Sequence, residues 1–318
     1  MIARRKIHVP VAALIFALCL ASIDWLAILP WSFPDLQNYI AGFNSGWYLF
    51  ELRGRGLLAS LVAEGAWVYG FDALYALTND IFVAFYIVSL VLVFLCSLYV
   101  TQRSGSPFYL LFLINPAFIE MAIGQIRSGL AAGIFYLALL IKNRAVAISL
   151  MIIAVGIHTA FGIFLGIFLL YQAYRSEAGQ RMLGDRPVLV HVLIALIALA
   201  MQPIQGAVLG QLQDKRAEII FDIDSGTLLA IAWLLLAGTY LILKRPTVLS
   251  WNYFLFVFAS LLMAAAAISG NYGSRFASIA LPAVAVMASE LEKGRSLPFF
   301  GHYAAFTLVY FYFWLTFS

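Results

Sequence analysis

Charge is scarce in this chain. Asp, Glu, Lys and Arg make up 11% of its 318 residues, whereas 64% are hydrophobic. So little charge over such a length excludes an ordinary soluble domain and makes a membrane the natural solvent. There are only two cysteines, Cys19 and Cys96, both inside apolar runs. That excludes a disulfide framework and a cysteine metal cluster. Neither a Gly/Ser linker nor a low-complexity tract marks a domain boundary, and no repeat of fixed period is present. A P-loop and a dinucleotide-binding glycine fingerprint are also missing, which removes support for nucleotide chemistry. The four histidines, His8, His158, His191 and His302, are dispersed, so no His/Cys/Asp ligand spacing appears and a zinc or serine membrane protease is disfavoured. Asp222 and Asp224 resemble a DxD pair but fall in a charged loop, where they read as a solvated face.

Apolar stretches long enough to cross the ~30 Å hydrocarbon core recur along the chain, separated by short polar joints. They predict an all-α fold: one polytopic transmembrane bundle of about 10–12 helices, filling residues 1–318 as a single domain. The apolar run from Val9 to Trp31 is too long for a signal-peptide core, and Leu18 before Cys19 spoils a lipoprotein cleavage site, so it reads as a first anchor. Further helices are expected near 81–101, 187–204, 226–243, 250–269, 276–290 and 301–317.

Lys and Arg set the orientation. Thirteen of the 19 basic residues fall at Arg4, Arg5, Lys6, Arg103, Lys142, Arg144, Arg175, Arg181, Arg186, Lys244, Arg245, Lys293 and Arg295. Placing these inside puts the N-terminus in the cytoplasm and accounts for the net charge of +4 without a nucleic-acid partner. Residues 32–80 then form an outer segment and 205–225 an outer loop, with the apolar stretch 57–77 interfacial or re-entrant.

The same rule predicts two membrane hairpins. One has arms near 107–120 and 127–141; the other has arms near 145–157 and 160–174 with His158 at its turn. Arms of about 12–15 residues span only ~18–22 Å, so both turns stop below the outer surface. Glu120, Gln125, Arg127 and His158 are then expected at one depth, in a cavity opening outward. A continuous helix over 146–174 is the competing reading.

Arg127 carries the most information, because a guanidinium near mid-bilayer costs roughly 2.5–3.5 kcal/mol on insertion scales. Its spacing from Glu120 would set the two on one helix face as a structural ion pair. Alternatively it binds a phosphate, whose oxygens its planar fork matches bidentately. Small residues at Ser128, Gly129, Ala132 and Gly133 permit close helix approach and leave room for a ligand. His158 either caps a broken helix or serves as a base. Arg275 either snorkels to headgroups or completes a cationic patch with Arg53 and Arg55. Tyr39, Tyr48 and Tyr272 offer hydroxyls and flat faces suited to sugars, although an outer aromatic belt is the ordinary explanation.

Several segments occur in a suggestive order: PDLQNYIAGF, FELRGRGLLASLV, GQIRSGLAAGIFYLAL followed by KNRAVA, then IHTAF, and late NYGSRF. From about Asp35 to Arg275 the chain thus resembles the EpsG-like family of Wzy-type O-antigen and exopolysaccharide polymerases. The resemblance implies a GT-C-like glycosyltransferase of the bacterial cytoplasmic membrane, with its active site facing outward. It implies undecaprenyl-diphosphate-linked oligosaccharides as substrates among membrane lipids, with a chain-length regulator as a partner protein. No cofactor and no metal are expected. In that scheme Arg127, with Arg275 and Arg53 or Arg55, holds the diphosphate, and Gln125, Tyr39 and Tyr272 assist binding. His158, or failing it Glu120 or Asp35, takes the acceptor proton. A lipid-linked glycan ligase and a lipid-linked oligosaccharide transporter are the alternatives.

Overall fold

The computed structural model describes residues 2–28, 33–52, 64–184, 186–211, 224–244, 249–269 and 274–316. Among these residues the regular structure is helical and there is no strand. The chain divides into two compact units. The first comprises Met1–Gly166 and Tyr310–Ser318, the second Ile167–Val309.

In the first unit, α1 (Ile2–Ala21) is followed by a single turn, α2 (Trp25–Ile28). The expected anchor running to Trp31 is therefore not one helix, because α1 stops at Ala21. Next come α3 (Pro34–Asn44), α4 (Trp47–Leu52), α5 (Gly65–Thr78) and α6 (Ile81–Ser104). Asp80 starts α6 by accepting hydrogen bonds from the amides of Phe82 and Val83 at 2.8 and 3.2 Å, satisfying two orphan donors. Gly105 ends it at φ 71°, a left-handed cap that glycine adopts without a Cβ clash.

A 3₁₀ segment (Pro107–Leu113) leads to α7 (Pro116–Ile123), capped by the side chain of Asn115 with proline at its first position. Then α8 (Ile126–Ala138) and α9 (Arg144–Ile157) follow. The core of this unit is α6, flanked by α1 and α8, with α9 on the far side of α8.

The first of the two expected hairpins is built differently. Between α7 and α8 the chain bends by 104° at Gly124 and Gln125, a corner rather than a reversal. The helix does break at His158, whose extended backbone (φ −147°, ψ 111°) excludes a continuous 146–174 helix. After the break α10 (Phe161–Arg175) starts.

The second unit contains most of α10's second half, α11 (Glu177–Leu183), α12 (Pro187–Gln211), α13 (Asp224–Lys244), α14 (Trp251–Ser269), α15 (Ser274–Ser289) and most of α16 (Lys293–Thr316). Its centre is α14, which packs against α12, α13 and α15 and is buried along almost its whole length. Because α12 runs to Gln211, the first part of the expected outer loop 205–225 is helical.

By length and composition two helices can each cross a membrane, Ile81–Ser104 and Thr227–Lys244. The bent pairs raise the number of candidate spans to four among the described residues. Outward-facing leucines, isoleucines and phenylalanines on α1, α6, α12 and α13, such as Ile15, Phe82, Leu196 and Leu235, suit an apolar surrounding.

Candidate functional site

Glu64 organises the site. It is the residue just before α5 and is buried, as are Trp67, Val68 and Phe71 on the helix that follows. Its backbone is left-handed (φ 59°, ψ 36°), a conformation that costs a residue with a Cβ about 1–3 kcal/mol and persists only where the surroundings hold it. Its side chain is 6% exposed.

Four donors converge on that carboxylate. Arg127 Nη1 pairs with Oε2. On Oε1, His158 Nδ1 lies at 2.7 Å, the Thr159 amide at 3.2 Å and the Thr159 hydroxyl at 3.3 Å. An oxygen accepting this many hydrogen bonds beside a guanidinium belongs to an ionised, acceptor-only carboxylate. His158 Nδ1 is the ring nitrogen that faces this carboxylate, so a proton on it has an acceptor in place.

Arg127 leaves the first turn of α8 and lies over the ring of Tyr39, 5.3 Å from its centroid. A guanidinium on an aromatic face in a site with little water gains about 0.5–2 kcal/mol. Asp35 and Tyr48 also lie within electrostatic reach of it. Its side chain is 16% exposed, and its buried Nε has no hydrogen-bond partner among the described residues. The fork thus keeps donor capacity beyond the bond to Glu64.

Tyr39 is itself set in a ring cluster. It meets Trp67 at 5.7 Å and Phe85 at 6.5 Å between centroids, and Phe43 and Phe71 extend the cluster behind those two rings. Phe85 also walls an apolar cavity of about 190 Å³, bounded by Leu20, Trp25, Leu36, Val93 and Ile119. Two rings in contact, Tyr39 and Phe85, thus link the guanidinium to that cavity.

The sequence expectations divide at this point. Arg127 and His158 do meet, but through Glu64, which had no assigned role, while Tyr39 and Asp35 lie near Arg127. Glu120 is not the partner of Arg127: its Oε1 accepts from Gln125 Nε2 at 2.9 Å, across the α7–α8 corner. The bend at Gly124 and Gln125 breaks the helix, so the one-face spacing of Glu120 and Arg127 does not apply. Room for a ligand beside the small residues is also absent. A Cβ on Gly129 would meet the Met121 carbonyl at 2.8 Å, and one on Gly133 would meet Leu95 and Leu92 at 3.2 and 3.3 Å. Those residues serve α6–α8 packing. Arg275 stands in the first turn of α15, partly buried, in the second unit. Arg53, Arg55 and Tyr272 lie outside the described residues.

Glu64 was findable from the sequence. It falls inside the apolar stretch 57–77, and a carboxylate in such a stretch calls for a cation. Among the described residues no three His, Cys, Asp or Glu side chains converge as a metal site requires. The fold and site define a helical protein with candidate membrane spans and a buried Arg–Glu–His constellation. Beyond that class, comparison with known proteins finds nothing: no family model, curated protein or solved structure matches the chain.

Proposed function

We propose that this chain is a polysaccharide polymerase of the Wzy type, a polytopic GT-C-like enzyme of the bacterial cytoplasmic membrane. It joins undecaprenyl-diphosphate-linked oligosaccharide repeat units on the outer side. The observation that carries the reading is the single carboxylate of Glu64 shared by Arg127 and His158. A phosphate-binding cation and an imidazole base are thereby held side by side in a site with little water. The apolar cavity walled by Phe85, the ring that contacts Tyr39, suits the chain of a lipid substrate, and the motif order from Asp35 to Arg275 supports the same family.

The chemistry follows from the roles. The acceptor hydroxyl of one lipid-linked unit attacks the anomeric carbon of the growing chain. The bond from that carbon to the lipid diphosphate breaks, and the electron pair leaves with the diphosphate. Arg127 stabilises the developing charge, at about 4 kcal/mol for a unit charge ~4 Å away with an effective dielectric of 20. His158 Nε2 takes the hydroxyl proton, a contribution of roughly 10²–10⁴-fold.

The test is reconstitution. Purified protein in liposomes, given only the native undecaprenyl-diphosphate repeat unit, is expected to produce a ladder spaced by one repeat and to release undecaprenyl diphosphate. A chelator should leave the ladder intact. A ligase would make no ladder without a separate acceptor, and a transporter would move the lipid at unchanged mass. Folded protein that leaves its native unit unextended would end the polymerase reading.

A further inference from the structure

We infer that Glu64 is the positioning residue of this site: it holds His158 in the Nδ1–H tautomer and makes Nε2 the proton-accepting atom. The catalytic half of this inference rests on the glycosyltransferase reading; the structural half does not. Glu64 Oε1 receives Nδ1 at 2.7 Å, shorter than its bonds from the Thr159 amide and hydroxyl at 3.2 and 3.3 Å. All three donors come from the break between α9 and α10, where His158 is extended and the chain has left the helix. The carboxylate cannot easily turn away. Its backbone is held left-handed at the head of α5, and its other oxygen is fixed by Arg127.

A ring fixed at one nitrogen by an ionised carboxylate gains in two ways. The basic nitrogen is defined, and the imidazolium formed on proton transfer meets a negative charge already in place. The competing role is a clip that merely ties α5 to the α9–α10 break. A clip needs only an acceptor oxygen, whereas a positioning residue needs the charge. Glu64→Gln separates the two, because its amide oxygen still accepts from Thr159 and from Nδ1.

Two measurements decide the matter. In the first, ring-¹⁵N-histidine protein is examined by NMR, with the His158 signals assigned by their loss in His158→Gln. The wild-type ring is expected to carry its proton on Nδ1, and Glu64→Ala is expected to raise the Nε2–H form. If Glu64→Ala alone does not fold, Glu64→Ala combined with Arg127→Met removes both charges and gives the same readout. A wild-type ring protonated on Nε2, or an unchanged tautomer without Glu64, overturns the inference. In the second, Glu64→Gln is expected to lower kcat by roughly 100-fold or more without raising KM for the lipid-linked unit. Unchanged kcat with the tautomer retained reduces Glu64 to a clip and overturns the catalytic half. A KM that rises in proportion to the loss does the same, assigning the defect to Arg127. If wild type makes no ladder at all, the polymerase reading falls while the tautomer still decides the structural half.

Discussion

Removing either half of the Arg127–Glu64 pair strands a charge that the fold has buried. The two side chains are 16% and 6% exposed, so water can restore little of the lost solvation. Breaking a buried pair from one side costs about 3–5 kcal/mol, mostly because the remaining ion is uncompensated. Glu64→Ala should fall at the lower end, since Arg127 keeps the face of Tyr39 and the field of Asp35. Arg127→Met leaves the carboxylate its donors from His158 and Thr159, and should likewise cost about 3 kcal/mol. The double variant removes both charges, so its cost should fall short of the sum of the singles. A direct attraction of about 4 kcal/mol at ~4 Å and an effective dielectric of 20 sets the ceiling for that shortfall. We expect about 2–4 kcal/mol of coupling, within the ranges measured for contacting charges. The assay is reversible unfolding in lipid bicelles for the wild type, both single variants and the double. Costs that add to within about 0.5 kcal/mol would refute the reasoning, because distant, independent sites behave that way.

Arg127→Lys keeps the charge but loses the planar fork; turnover in the ladder assay should fall at least about tenfold while membrane insertion and expression stay normal. Normal polymerisation by the lysine variant would mean that a point charge suffices. Gly129→Ala pushes a Cβ onto the Met121 carbonyl and Leu92, and should destabilise by about 1–3 kcal/mol in the same unfolding assay. Gly70→Ala is its control: nothing lies within 4 Å of the added carbon, so better helix propensity should leave stability unchanged or raise it by up to about 1 kcal/mol.

Local signals made much of the fold legible. The side chains of Asp80, Asn115 and Asn143, residue types favoured at helix starts, cap α6, α7 and α9, a signal the reading of the apolar runs left unused. The late helices fall close to their apolar runs, and the break at His158 lies where a polar GIHT interrupts two apolar segments. What went astray involved direction. Two arms around a polar joint read as a hairpin, yet the α7–α8 joint turns through 104°. Nothing in the local spacing distinguishes a corner from a reversal when Phe33, far back in the chain, packs against Gly124.

By itself the sequence determined that the chain is helical, that charge is rationed, and that Arg127 and His158 stand at helix boundaries in apolar surroundings. These are local properties: hydrophobic period, capping residues, and the cost of a lone cation in apolar matter. The tertiary structure alone decided what satisfies that cation. Spacing along one helix nominated Glu120, but a bend removed it, and Glu120 bonded instead to Gln125. Glu64 reaches Arg127 because α5 packs against α6 and α9 and turns its buried face, with Trp67 and Phe71, toward Tyr39 and Phe85. Helical periodicity tells which residues on one segment share a side. Which distant carboxylate meets a buried guanidinium depends on how several segments pack, since each buried charge must find its partner wherever the folded chain brings one within reach.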